Sequence, residues 1–293
     1  MVDMTLSVLT LNLWHDSGPY ERRAPLIRDW IERLDPDLIG FQEALRGEGG
    51  DQASELVGDR GYHVDFVAAS KFWREGSHYG KADFGNAVAS RWPIAKRETL
   101  ELPGKESGET RAAISVTVEA PFGPVGFTCS HLHWKFRDGA TRERQAVALC
   151  DFALEHRPDW GFPPILVGDF NAEPESNEIR YVTGLGSLEG HSIAMLDAWR
   201  MAGNGGPGFT WSNRNPYAAA VLEPDRRIDY IFTGWPVRNG VGQLQSCRVV
   251  CDEEKAGVWP TDHFGVYAEL RTSPIPGFEK EWGLAAGDDV HER

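Results

Sequence analysis

Ile165-Leu166-Val167-Gly168-Asp169-Phe170-Asn171 is the stretch on which the reading of this chain turns. Ile165 to Val167 read as a short buried strand, and Gly168 to Asn171 end it in polar side chains. Other strand-like segments end the same way. Residues 5–14 are β-rich and carry Asn12 near their end. Residues 37–41 form a short apolar strand closed by Gln42-Glu43. Residues 125–133 read as a strand ending in His131 and His133. Asp229 lies in the strand 227–232, and Asp262-His263 immediately precede a last strand at 264–270. In open α/β sheets, ligand sites gather beyond strand ends.

Outward from these strands, Leu26, Ile27, Trp30, Ile31 and Leu34 have helical spacing and predict a helix over 22–34. Further helices are expected at 52–58 and 141–154, and after a capping Ser176. Strands are expected at 62–68, 86–90, 111–118 and 246–250, and the polar, aromatic stretch 71–84 reads as a long loop. Several neighbouring strands look hairpin-joined, which argues for an α/β sandwich of mixed sheets over a strictly parallel sheet. No repeat or linker divides the chain. One domain is expected over 1–272, followed by a polar tail, 273–293, that Phe278 and Trp282 could dock.

Composition narrows the function classes. The 293 residues are 41% hydrophobic and 25% charged, which excludes a disordered or collagen-like chain. Lys plus Arg is 30 and Asp plus Glu is 44, a net charge of −14. Such a chain lacks the bulk positive field that draws proteins to duplex DNA, so nucleic acid is a possible but disfavoured partner. The four cysteines are scattered, and Cys247 and Cys251 lack the second pair that a zinc site needs. No apolar run approaches a membrane span, no amphipathic anchor is evident, and no secretory leader opens the sequence. A cytoplasmic location without a stable membrane anchor is the expectation, and the oligomeric state is left open. There is no Gly-x-Ser-x-Gly elbow, no His-Glu-x-x-His and no Gly-rich dinucleotide fingerprint.

Oxygen-rich strand ends suit a hard cation such as Mg²⁺, which binds through a few carboxylates and substrate phosphate. A carboxylate such as Asp169 can orient or deprotonate water, and a His paired to a carboxylate can serve a developing phosphorane. The set matches phosphate-ester hydrolysis. Taken singly, each residue also has an ordinary structural reading: a strand-end turn, a surface ion pair or a satisfied histidine.

The order of the motifs carries more. Leu11-Asn12-Leu13-Trp14, Gln42-Glu43, Gly85-Asn86-Ala87-Val88-Ala89-Ser90, Ser130-His131-Leu132, Gly168-Asp169-Phe170-Asn171, Arg227-Ile228-Asp229-Tyr230 and Thr261-Asp262-His263 follow one another. Together they resemble the endonuclease/exonuclease/phosphatase superfamily, which includes deoxyribonuclease I, over about residues 6–270. That resemblance implies a four-layer α/β sandwich: two mixed β-sheets face to face, flanked by helices. It implies that Glu43, Asn12 and Asp262 hold Mg²⁺ or Mn²⁺. By the same resemblance, Asp169 and Asn171 handle the nucleophilic water, Asp229 pairs with His263 at the phosphate, and His131 donates to it. A non-catalytic binding module on the same fold is the competing class.

His133 stands where many relatives have a small or acidic residue. Two residues from His131 on a strand, it either touches substrate beside it or is an ordinary strand-end histidine. Phe72, Trp73, Tyr79 and Trp134 sit on a presumed rim, either contacting substrate or packing at loop bases. Lys71, Arg74, Lys81, Lys135, Arg137, Arg142 and Arg144 share that rim. Thr210, Trp211 and Asn213 could form another wall, after a flexible stretch at 203–208. The charge balance favours a small or lipid-derived phosphate ester as substrate over a nucleic acid.

Overall fold

A computed structural model of the chain describes residues 5–277. The proposed docking of the tail by Phe278 and Trp282 lies outside those residues. The elements run β1 (Thr5–Asn12), α1 (Tyr20–Leu34), β2 (Leu38–Gly47), β3 (Gly50–Asp51), α2 (Gln52–Val57), β4 (His63–Phe72), β5 (Ala82–Ser90), β6 (Ile94–Glu101), β7 (Ala112–Ala120) and β8 (Gly123–His131). There follow α3 (Gly139–Glu155), β9 (Phe162–Asp169), α4 (Asn177–Val182), β10 (Leu196–Asp197), α5 (Ala198–Ala202), α6 (Pro216–Ala219), β11 (Asp229–Thr233), β12 (Leu244–Val250) and β13 (Gly265–Arg271).

The strands form two sheets, ordered β12-β13-β1-β2-β5-β4, with β3 on β2, and β10-β11-β9-β8-β7-β6. Within them β1 pairs β2 in parallel and β8 pairs β9 in parallel, while the remaining ladders are antiparallel. Both sheets are therefore mixed, and the expected four-layer sandwich is what the chain forms.

Three apolar layers hold it together. Ala24, Ile27, Ile31 and Leu34 recur at helical spacing and bury one face of α1 against Leu9, Leu11, Ile39 and Phe41. Alternate residues of the same strands, Leu6, Val8 and Leu38, point the other way and meet Val125, Phe127 and Val167 of the facing sheet. Ala146, Leu149 and Cys150 of α3 cover the outside of that second sheet with Ile179 and Val182 of α4. Gly40 lets the sheets approach. A Cβ there would lie 2.4 Å from Val167 Cγ2 and 3.1 Å from Cys129 Sγ.

Three expectations needed correction. The strand expected to close at Gln42-Glu43 runs on to Gly47. The loop foreseen at 71–84 is shorter, because β4 runs through Phe72 and β5 starts at Ala82. Strand β6 was not anticipated: Lys96, Arg97, Glu98 and Glu101 make it read as loop, yet charged edge strands of this kind discourage unwanted pairing. The four cysteines are free and buried. Among the described residues no helix is long and apolar enough to cross a membrane.

Gly40→Ala should destabilise the fold by about 1–3 kcal/mol through overpacking between the sheets. Urea unfolding would measure it, and an unchanged midpoint would show that the sheets can part at this position.

Candidate active site

Register places the functional side chains. On three successive strands of one sheet, His131 pairs with Asp169, and Asp169 pairs with Asp229. In the other sheet Asn12 pairs with Gln42. The ladder between β2 and β5 skips from Phe41 to Ala44, so Gln42 and Glu43 sit on a bulge. Gln42 turns inward, its Nε2 donating to Thr10 Oγ1 at 3.1 Å. Glu43 takes a left-handed φ of 55° and turns its carboxylate into the cleft. The loop before β13 supplies Asp262 and His263.

A cleft of about 480 Å³ opens where these ends meet. Glu43, His131, Asp169, Asn171, Asp262 and His263 line it. Trp14, His15, Glu43 and Asn171 all have φ between 35° and 55° and all line the same cleft. Left-handed backbone disfavours side chains other than glycine by about 1–2 kcal/mol each, and such strain concentrates at functional sites.

One half of the site is a hydrogen-bonded proton store. His263 Nδ1 lies 2.9 Å from Asp229 Oδ2, and its Nε2 lies 3.8 Å from Asp169 Oδ2. Burial works against the imidazolium, but the Asp229, Asp169 and Asp262 carboxylates outweigh it and hold His263 well above the ordinary histidine range. Asp169 is pushed up to about 7 by burial and by the charge of Asp229. Asn171 N–H donates to Asp169 Oδ1 at 2.8 Å, and Asn12 Nδ2 donates to Oδ2 at 3.1 Å. His131 behaves in the opposite way. Burial, the Arg111 guanidinium and the neighbouring histidines hold it well below the usual range. Arg111 Nη1 sits 2.8 Å from His131 Nδ1. A guanidinium can only donate, which puts the ring proton on Nε2, 3.3 Å from Asp169 Oδ2 and 3.0 Å from the Asn171 side-chain amide, whose oxygen then faces the ring.

The other half is acidic. Burial raises Glu43, and burial together with the charge of Glu43 raises Asp262 to about 6, against the opposing charge of His263. Two carboxylates under mutual strain in one wall are a fitting donor set for a hard divalent cation. Asp169, Asp229 and His263 also lie within 4.8 Å of one another and could be taken for a metal cluster. Asp229 takes the His263 Nδ1 proton, and with the ring held cationic by its carboxylate neighbours Nε2 is protonated as well, which leaves no nitrogen free to ligate.

Most residues singled out from the sequence converge here. Asn12 lies beneath the cleft, its oxygen accepting Trp14 N–H at 2.9 Å and its amide nitrogen facing Asp169, an orienting geometry. Asp229 stands behind His263. Trp134 lines the cleft and is 51% exposed. Trp73 is 68% exposed but lines a neighbouring hollow with Lys71 and Lys81. His133 does not line the cleft. It is fully buried, with Nε2 2.9 Å from Asp138 Oδ2 and Nδ1 3.0 Å from Glu109 Oε2. It has no exposed surface to offer a substrate: Nε2 is hydrogen-bonded to Asp138, and Nδ1 faces Glu109 without a hydrogen bond. Tyr79 is buried against Tyr20, and Arg142 is buried against Glu178, so neither belongs to the rim. Arg74 is held at Asp16. Of the other wall, Trp211 lines the cleft beside His263.

Arg111, His15, Arg226, Glu109 and Glu223 line the cleft without having been anticipated as site residues. None carries a motif. Arg111 simply precedes a strand, and only the register of β7 on β8 brings it to His131.

Comparison with known proteins agrees with this geometry. The profile of the Endonuclease/Exonuclease/phosphatase family matches residues 9–263. The chain belongs to that family. No curated protein sequence matches it. Among solved structures, an endonuclease/exonuclease/phosphatase from Beutenbergia cavernae DSM 12333 is similar, with 24% identity and a TM-score of 0.66, over 91% of this chain and 71% of that one. D. rerio TDP2, complexed with a single-strand DNA product, has 19% identity and a TM-score of 0.71, over 92% and 100% of the two chains. The human Nocturnin catalytic domain, with bound sulfate, has 19% identity and a TM-score of 0.68, over 92% and 94%. Members of the Endonuclease/Exonuclease/phosphatase family are generally hydrolases of phosphate esters.

Asp229→Asn should lower the pKa of His263, measured by nitrogen NMR of the imidazole in metal-free protein. A folded-state pKa above the unfolded value means that the pairing stabilises fully below about pH 6.5 and is lost as pH rises through the folded value. Breaking one side of a buried pair should cost about 3 kcal/mol at pH 6 and flatten that pH dependence. An unmoved His263 resonance would remove Asp229 as its partner.

Proposed function

We propose that the chain is a metal-dependent phosphoesterase in which water attacks phosphorus directly and in line. The observation that carries this reading is the paired arrangement of Asp169 and a cationic His263 on one side of the cleft, facing Glu43 and Asp262 on the other. Asp169 orients the water and takes its proton, and a pKa of about 7 suits that exchange near neutrality. Asn171 and Asn12 fix the carboxylate by hydrogen bonds. His263, held by Asp229, directs its Nε2 proton at the phosphate, and His131 offers its own Nε2 proton under the control of Arg111. As the new P–O bond forms, the ester P–O bond breaks and the leaving oxygen takes up a proton. Glu43 and Asp262 would hold Mg²⁺ or Mn²⁺, which when bound supplies positive charge to phosphoryl and leaving oxygens.

The substrate we infer is a small or lipid-derived phosphodiester or phosphomonoester. Trp14, Phe72, Phe84, Trp134 and Trp211 give it aromatic walls, and Glu109 and Glu223 put carboxylates among them. Those two carboxylates are paired with Arg111 and Arg226 of the same lining, so it is the net charge of −14 that disfavours a polyanion. D. rerio TDP2 is complexed with single-strand DNA product in its structure, so DNA or RNA belongs in the same test.

A panel of supercoiled plasmid, single-stranded RNA, chromogenic phosphomono- and diesters, and phospholipid micelles would be assayed with Mg²⁺ and with EDTA. Small or lipid esters should turn over only with metal, and Asp169→Ala and His263→Ala should each reduce the rate about 10²- to 10⁴-fold while folding normally. Plasmid nicking that disappears in Asp169→Ala would make the chain a nuclease. Metal binding with no turnover on any ester would favour a binding module. Glu43→Ala should raise the metal concentration for half activity, and an unchanged titration would take Glu43 out of the metal site.

A further inference from the structure

The turn after β1 is wound around one buried guanidinium. Arg23 donates to the carbonyls of Ser17 at 2.9 Å, Leu13 at 3.2 Å, Trp14 at 3.4 Å, His15 at 3.1 Å and Pro260 at 2.8 Å. Gln52 Nε2 adds a further bond to His15 O at 2.8 Å. Under these restraints Trp14 and His15 take successive left-handed conformations, with φ of 52° and 35°. No sequence-local reason requires this of a tryptophan and a histidine. Its effect is to stand the His15 imidazole on the cleft wall, packed 4.9 Å from the Phe72 ring.

There His15 Nε2 lies 4.0 Å from Glu43 Oε2. At bonds of about 2.1 Å that separation is spanned by one cation at a wide angle, and a shift of about 1 Å of either side chain brings the two donors to adjacent octahedral positions. The far nitrogen, Nδ1, is buried without a hydrogen-bond partner and lies 3.7 Å from Asp16 Oδ1. Metal-binding histidines are commonly oriented by a carboxylate at the far nitrogen. Asp16 is well fixed for that task. Arg74 Nη2 donates to its Oδ1 at 2.8 Å, Ser77 Oγ to its Oδ2 at 2.7 Å and His78 N–H to its Oδ2 at 2.8 Å. A histidine serving only to pack against Phe72 and Phe84 has no need of a carboxylate near each ring nitrogen.

We propose that His15 Nε2 is a nitrogen donor to the cation held by Glu43 and Asp262, and that the site consequently favours Mn²⁺ over Mg²⁺. The proposal rests on the assignment of that cation to Glu43 and Asp262. Oxygen-only sites suit Mg²⁺, whereas imidazole moves preference toward transition metals. Asp16 is then a positioning residue for His15.

The test is Mn²⁺ binding to the metal-free full chain, read by pulsed electron paramagnetic resonance and calorimetry. Wild-type protein should show nitrogen-14 coupling of a directly bound imidazole. His15→Gln should lose it, and His131→Gln should keep it. Calorimetry should give at least about tenfold weaker Mn²⁺ binding for His15→Gln, with a smaller change for Mg²⁺. Absence of nitrogen coupling in the wild type overturns the proposal without any variant. So does coupling that survives in His15→Gln, or an unchanged ratio of the two affinities. Glu43→Gln separates the two levels of the argument. If it abolishes Mn²⁺ binding while the wild type shows no nitrogen coupling, the metal assignment stands and His15 alone falls. If it leaves Mn²⁺ binding intact, both fall.

Discussion

Two carboxylates, Asp169 and Asp229, are paired residues on neighbouring strands, and both are almost fully buried. Placed so, they repel each other and neither is well solvated. His263 relieves the conflict. Its Nδ1 bonds Asp229 while its Nε2 faces Asp169, so one buried cation serves two anions. Asn12 and Asn171 supply the remaining donors to Asp169. The rest of the site follows from holding this arrangement open to a cleft. Buried charge that is paired on one side and accessible on the other is poised for proton transfer.

The fold delivers these groups because both sheets present strand ends to the same cleft. Asn12 and Glu43 come from one sheet, and His131, Asp169 and Asp229 from the other. Close approach of the sheets at Gly40 and Val167 keeps those ends together. Where straight strands would aim the side chains wrongly, the backbone bends. The bulge at Gln42 and Glu43 turns one residue inward and the next outward, and the left-handed turn at Trp14 and His15 closes the wall beside it. Four of the nine non-glycine residues with positive φ among the described residues line this cleft.

Much of this was legible in the sequence, for definable reasons. Ile165-Leu166-Val167 ends in Gly168-Asp169-Phe170-Asn171, and such an abrupt change from apolar to polar marks a strand end without help from tertiary contacts. At Gln42-Glu43 the same change of polarity marks a bulge and not an end, since β2 runs on to Gly47. Strand β6 stayed hidden because only Ile94 and Leu100 of this edge strand reach the core, and the charged residues between them break the period. His133 misled because strand alternation gives the side of a chain but not what already fills it. There, Glu109 and Asp138 come from neighbouring loops. Arg111 and His15 were missed for the converse reason. Their roles arise from register and from a buried guanidinium more than from local pattern.

The division of labour between the two halves of the cleft is open to one direct observation. Crystals soaked in Mn²⁺ would be measured for anomalous scattering at the manganese edge. A peak beside Glu43 and Asp262, with the His263–Asp229 hydrogen bond intact, is the expected result. A peak enclosed by Asp169, Asp229 and His263 would contradict it, since the proton store would then be the metal site.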